Sequence, residues 1–206
     1  MIKKNIALVN IGEPLPRGGN KPHRMMIWNE FLLKQGYNTR IITTDFEHQR
    51  KIWIKEKESD FIYLKSYVPY FKNISVRRLI NHFLISVGLM CHFFRKGKEY
   101  DLIICSYPTV LLSFISSTYG KVYSIPVFID VRDLWPDIFF KGKMTKLFIF
   151  PLILIKKITF NCSRLNIAIS PGYEDWVKSS SPSSKTEIIP LTKNHVIEKQ
   201  KFFDGV

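Results

Sequence analysis

Eight consecutive residues, Asp130-Val131-Arg132-Asp133-Leu134-Trp135-Pro136-Asp137, place three carboxylates, a guanidinium and an indole directly after the apolar run 125–129. A buried strand followed at once by ionisable groups marks the carboxyl edge of an open α/β sheet, where ligands bind. Pro136 disfavours the helical conformation at Trp135, so it holds the segment as a loop. Asp133 is the candidate general base: it could take a proton from an attacking hydroxyl or position that hydroxyl. Trp135 could wall a sugar or pack inward, Asp137 could orient the segment that follows, and Arg132 could pair with a neighbouring acid.

Other loops at the same expected edge carry suitable groups. Arg17-Gly18-Gly19 follows the first strand, where Gly18 and Gly19 would let backbone N–H groups approach an anion beside a helix N-terminus. The pattern is not GxGxxG, so the dinucleotide fingerprint is missing. His48-Gln49-Arg50-Lys51 is a cationic, hydrogen-bonding cluster after the second strand, readable also as a solvated loop. Ser75, Arg77 and Arg78 open a long helix, and arginines there oppose its dipole, a conflict that a bound anion would relieve. Ser106 and Ser170 end two strands as helix caps or as ligand contacts.

The elements that must position these groups alternate. Strands are expected at 5–11, 39–44, 60–65, 101–105, 126–131, 165–169 and 187–189. Between them lie helical patterns at 23–35, 77–96, 108–119 and 143–160, with another opening at Ser170-Pro171. The helix at 77–96 has a broad apolar stripe, and the one at 143–160 should kink or break at Pro151. Apolar strands separated by helix-length segments predict an α/β fold, a Rossmann-like parallel sheet with helices on both faces. One domain is expected over 1–190, with 191–206 a linker or truncated tail.

Composition bounds the partners. The 206 residues carry a formal charge of +14 with 46% hydrophobic residues, enough apolar material for a core. Such charge points to an anionic partner: nucleic acid, anionic lipid or a phosphorylated ligand. Cys91, Cys105 and Cys162 are odd in number and lack a CxxC pair, which argues for reduced thiols and against a zinc site. Met1 to Lys4 leads into a strand-like run rather than a signal peptide. The apolar stretches at 79–94 and 147–155 fall short of the roughly 20 residues of a membrane span. Lysines 141, 143, 146, 156 and 157 around the second stretch fit either a membrane-surface helix or a core helix with snorkelling side chains. Scattered charge and the lack of RNP, KH or C₂H₂ patterns argue against nucleic acid as a partner.

The order of segments resembles the N-terminal half of a GT-B glycosyltransferase of the family 4 type, in the branch serving bacterial capsule, O-antigen and exopolysaccharide assembly. The run 126–137 is similar to that branch's "vvDiRDlWPD" segment. Further matches are Arg24 in the first helix, Gly36-Tyr37, the segments 46–51 and 73–78, Ser106-Tyr107-Pro108, and 168–173. Many relatives have a histidine where Arg132 stands, so the resemblance carries Asp133 forward as the catalytic residue. It implies an acceptor-binding domain lined by Gly18, Gly19, Arg24, His48, Lys51, Arg77, Ser106, Arg132, Trp135, Asp137 and Ser170. It also implies a nucleotide-sugar donor, no metal or other cofactor, and retention of anomeric configuration. The implied acceptor is a polyprenyl-pyrophosphate-linked saccharide, at an anionic membrane surface on the inner face of the cytoplasmic membrane. The donor-binding domain would lie outside these residues, or in a separate C-terminal GT-B subunit that this chain serves as a non-catalytic partner.

Overall fold

The computed structural model describes residues 4–11, 24–55, 57, 59–72, 75–135, 137 and 143–190, with the backbone alone over 143–149. The Gly18–Gly19 loop and the expected linker at 191–206 therefore lie outside the described residues, as does Lys141. Seven strands form one parallel sheet. In chain order they are β1 (Asn5–Val9), β2 (Asn38–Thr44), β5 (Phe61–Leu64), β6 (Leu102–Tyr107), β7 (Val127–Val131), β8 (Leu165–Ala168) and β9 (Thr186–Ile188). Across the sheet they run β5-β2-β1-β6-β7-β8-β9. The chain builds outward from β1, returns to β6 and builds outward again. The strand order thus reverses between β1 and β6, the place where open α/β sheets bind ligands. A two-stranded antiparallel hairpin, β3 (Phe46–Glu47) and β4 (Ile52–Trp53), stands beyond the carboxyl end of β2.

Strand alternation sorts the core into two layers. Ile6, Leu8, Ile104 and Phe128 meet Met25, Trp28 and Leu32 of α1 (Arg24–Lys34) on one face. Ala7, Val9, Ile103, Cys105 and Ile129 share the other core with α2 (Val76–Lys96), α3 (Val110–Tyr123), α4 (Lys143–Cys162) and α5 (Pro171–Ser180). Every residue of β6 and β7 is buried, as expected of central parallel strands covered on both faces. Cys105 is buried within this core, and all three cysteines are unpaired.

Three local expectations are revised. α4 runs through Pro151 as one helix rather than breaking there, packed against α3 and α5. The cap of α3 is Thr109 rather than Ser106, which remains in β6 opposite Asp130. Most consequentially, α2 buries Asn81, Ile85, Ser86, Leu89 and Phe93, while the apolar stripe containing Leu79, Phe83 and Phe94 faces outward.

Gly120 sits where α3 crosses the start of β7. A Cβ there would run into the Val127 side chain and lie 2.5 Å from the Ile125 carbonyl oxygen. Gly120→Ala is expected to cost about 1–3 kcal/mol through overpacking, read as a lowered urea midpoint with unchanged slope.

Candidate functional site

The acid-rich loop leaves the carboxyl end of β7 and is fastened from below and behind. Tyr107, at the end of neighbouring β6, is fully buried and donates its hydroxyl to the Trp135 carbonyl at 2.7 Å. The Arg132 N–H donates to the Tyr107 carbonyl at 3.3 Å, continuing the ladder one step past the strand. Burial and the nearby carboxylates of Asp137 and Asp133 hold the Tyr107 phenol well above its ordinary pKa, so it remains a hydrogen-bond donor. The Trp135 ring is half-buried against the core.

Asp137 is held by two partners from different helices. Lys156 of α4, itself buried, reaches one carboxylate oxygen at 2.5 Å, and the Trp176 indole N–H of α5 donates to the same oxygen at 2.6 Å. The Lys156 ammonium also lies over the Trp176 ring, 4.4 Å from its centre. Asp137 thus ties the loop to α4 and α5, while the segment that it was expected to orient lies outside the described residues. Asp133, half-exposed between these anchors, accepts the Leu134 N–H on Oδ1 at 2.8 Å. This contact orients the carboxylate on a segment anchored at Trp135 and Asp137. Half-buried Arg132 pays desolvation, which lowers its guanidinium pKa.

Asp130 belongs to a different constellation. It points to the α1 side of the sheet and is fully buried, with Arg24 Nε 3.0 Å from Oδ1. Arg24 spends its two terminal nitrogens on the Ile189 and Pro190 carbonyls, 3.0 Å each, and its guanidinium lies 4.7 Å from the centre of the Trp28 ring. One side chain therefore ties the start of α1 to the end of β7 and to the chain leaving β9. Burial raises the Asp130 pKa to about 6 against the opposing pull of Arg24.

The third group gathers around the β3–β4 turn and the first turns of α2. The His48 Nδ1 lies 2.8 Å from the Tyr70 hydroxyl and 3.1 Å from the Lys51 ammonium. An ammonium only donates, so Nδ1 accepts and the imidazole proton sits on Nε2. Arg78 donates Nε–H to His82 Nε2 at 3.4 Å. Burial, then the charges of Arg78 and Lys51, lower His48 to about 4. Burial, Arg78, His48 and Lys51 lower His82 to about 3. Both imidazoles are neutral near pH 7, leaving Lys51 and Arg78 as cations in a half-buried setting. Lys51 also takes a left-handed backbone conformation, φ 60°, which costs a non-glycine residue energy and concentrates at functional turns.

The remaining expected residues fall as follows. Arg77 is exposed on α2, and its neighbour Arg78 is the one that turns into the cluster. The Ser75 hydroxyl caps α2 by accepting the Arg78 N–H at 3.2 Å. Ser106 is buried in β6, where its carbonyl takes the Ser113 hydroxyl. Ser170 precedes Pro171 at the start of α5, and its carbonyl receives the Tyr173 and Glu174 N–H groups. Tyr70, His82, Tyr107 and Trp176 were missed as candidates, and Lys156 as a partner of Asp137, because their distance in sequence from the loops they serve leaves no local pattern. Among the described residues no three His, Cys, Asp or Glu side chains group to hold a metal ion. An open depression of about 630 Å³ lies at the opposite, amino-terminal edge of the sheet, beside Asn5, Asn38, Arg40 and Glu99. It shares no residue with these groups, and the position of β7's loop outweighs its volume as a guide.

The sequence matches no family model and no curated protein. Its likeness is to solved structures. Sucrose-phosphate synthase of Thermosynechococcus elongatus superposes with a TM-score of 0.62 at 14% identity, over 93% of this chain and 49% of that one. HepE of Anabaena, solved with UDP-glucose, gives 0.50 at 13%, over 90% and 43%. UDP-GlcNAc 2-epimerase of Neisseria meningitidis, bound to UDP-GlcNAc, gives 0.50 at 15%, over 89% and 45%. The chain has the fold of one GT-B half. It spans about half the length of these neighbours.

Two outcomes test the electrostatics. Arg24→Met strands the buried Asp130 carboxylate and is expected to cost about 3–5 kcal/mol of unfolding free energy; adding Asp130→Asn should restore much of that loss in the same denaturation assay. The imidazoles act through pH. Because their folded pKa values lie below 6.5, the unfolded chain binds more protons between about 6.5 and 3, so their contribution to stability is lost as pH falls through that window. Asp130, whose pKa is raised from 3.8 to about 6, works in the opposite sense over its own window. His82→Gln should therefore flatten the acid-side decline relative to the wild type, and parallel profiles would contradict the assignment.

Proposed function

We propose that the chain is the acceptor-binding half of a glycosyltransferase that moves a sugar from a nucleotide-sugar donor to a lipid-linked, phosphate-bearing saccharide of bacterial surface-polysaccharide assembly. One observation carries the reading: a carboxylate, Asp133, stands on a doubly anchored loop at the carboxyl edge of a GT-B half-fold. HepE and the epimerase are solved with nucleotide sugars, which supports a donor of that class. In this reading Asp133 takes the proton from the acceptor hydroxyl as its oxygen bonds to the anomeric carbon and the sugar–phosphate bond breaks. The nucleoside diphosphate leaves into the half that lies outside this chain, and no metal or other cofactor is required.

The remaining groups divide the labour. Arg132 and Trp135 line the acceptor beside Asp133, and Asp137 keeps the loop in place. Lys51 and Arg78 offer cationic donors to acceptor phosphates, and Ser106, Ser170 and Arg77 border the same edge. Arg24 is a positioning residue. In the alternative arrangement that the sequence resemblance implies, this polypeptide supplies acceptor and membrane binding to a separate donor-binding subunit. An acceptor on a polyprenyl anchor places the reaction on the inner face of the cytoplasmic membrane.

The test is a transfer assay on the chain joined to, or mixed with, its donor-binding half, using membrane extract and a panel of nucleotide sugars. Asp133→Asn should lower kcat by about 10²–10⁴-fold without lowering thermal stability. Undiminished turnover would remove Asp133 from the chemistry, and acceptor-independent epimerisation of the nucleotide sugar would replace the transferase reading.

A further inference from the structure

We propose that the outward face of α2 is a docking surface for an anionic lipid bilayer. The proposal deepens the glycosyltransferase reading by naming the surface that meets the membrane, yet it stands on observations separate from the Asp133 loop.

Val76, Leu79, Phe83 and Phe94 are 71%, 58%, 56% and 64% exposed, and Ile80, Val87 and Met90 lie with them along the helix. Their spacing of three or four residues makes one stripe about 27 Å long at 1.5 Å per residue. Phe71 and Tyr67, exposed on the approach to the helix, are 74% and 59% accessible. A contiguous apolar surface of that extent marks a binding face rather than scattered exposure. The opposite face of α2 already supplies the core contacts through Ile85, Leu89 and Phe93.

The charges around the stripe choose the partner. Residues 61–98 contain seven lysines and arginines and no aspartate or glutamate. Lys72 and Arg77 are exposed at one end of the stripe, and Arg95, Lys96 and Lys98 at the other. Helices α2, α3 and α4, which pack side by side on this face of the sheet, contain no acid at all. Outermost on α4, Phe150 and Leu154 are exposed near Lys157. An apolar stripe framed by cations of one sign is how a helix lies in a bilayer interface, its apolar side among the acyl chains and its cations at anionic headgroups. A second copy docked on the same face would oppose cation to cation, which disfavours a symmetric dimer. Nucleic acid would leave the aromatic and aliphatic side chains without a partner along a phosphate backbone. Among the described residues no helix is long and apolar enough to cross a membrane, so the surface lies on the bilayer.

The placement has a consequence for the acceptor. The first turns of α2 carry Arg78 and His82 into the cluster with His48 and Lys51. A bilayer seated on the stripe therefore stands beside the cationic end of the carboxyl edge.

Flotation of the protein with phosphatidylcholine vesicles, with and without a quarter phosphatidylglycerol, tests the surface at physiological salt. The wild type should float with the anionic vesicles. Leu79→Ser with Phe83→Ser should reduce that partitioning by at least about tenfold while the thermal midpoint holds, since both side chains are outside the core. Arg95→Gln with Lys96→Gln should erase the preference for anionic over neutral vesicles, and Leu33→Ser, exposed on α1, should change nothing. Wild-type partitioning by the α2 apolar variant overturns the proposal. So does a dimer or an RNA complex at the same salt that those substitutions abolish in the absence of vesicle binding. Vesicle binding that persists when the chain, joined to or mixed with its donor-binding half, shows no sugar transfer would refute the enzymatic reading and leave the docking surface standing.

Discussion

The buried contact between Arg24 and Asp130 governs the carboxyl edge, because it joins three parts of the chain that are otherwise remote. Asp130 lies in a central strand with no exposure, and a carboxylate in that position is tolerated only with a cation beside it. The single guanidinium that meets it also holds the carbonyls of residues 189 and 190. The start of α1, the end of β7 and the exit from β9 are consequently fixed to one another. A hydrophobic replacement of the pair could be equally stable, since burying two charges consumes most of what their attraction returns. What a pair of apolar residues could not supply is direction: the fork geometry of arginine sets where the chain leaves the sheet.

The loop after β7 depends on that frame and adds its own. Its acids differ in environment although they stand within eight residues. Asp130 is inside the sheet, Asp137 is exposed but paired with Lys156 and the Trp176 indole, and Asp133 is half-exposed on the segment between the two anchors. Separating carboxylates by environment is how one segment can carry structural and chemical roles together. The cationic cluster at the β3–β4 turn complements it electrostatically. Its imidazoles stay neutral because they are buried, with Arg78 and Lys51 adding to the effect, so the local charge resides on the two residues able to donate to phosphate oxygens.

The alternation of strands and helices was legible because each buried strand is a short run of apolar residues bounded by polar ones, as in Asp101 to Cys105. The edge that carries the site followed from the parallel order. The Asp133 loop could be picked out because its residue types are out of place after an apolar strand. Its anchors could not: Tyr107 reads as a strand residue, Lys156 as a snorkelling lysine and Trp176 as a helix aromatic until the fold brings them to residues 135 and 137. Asp130 was visible in the motif, but its partner lies 106 residues away and no spacing rule connects them. Arg77 and Arg78 were indistinguishable by sequence, and only the helix phase assigns one to solvent and the other to the cluster.

Helix phase also explains what α2 conceals. Periodicity identifies a face of a helix but does not say whether that face meets the sheet or the solvent. The buried side of α2 includes Asn81 and Ser86, residues that a helix with one sticky side would keep outside. Asn81 is satisfied there: its side-chain oxygen accepts the Tyr67 and Val68 N–H groups and its amide donates to Ser66. These bonds fasten the segment leaving β5 to the helix and set its rotation about its own axis. With the rotation fixed by polar contacts, the larger apolar side is directed away from the core. A chain under selection for solubility alone would have little reason to keep Leu79, Phe83 and Phe94 in water on a helix already packed by Ile85, Leu89 and Phe93. The arrangement is consistent with the docking surface proposed for the outer face, where a bilayer would give these side chains an apolar solvent of their own.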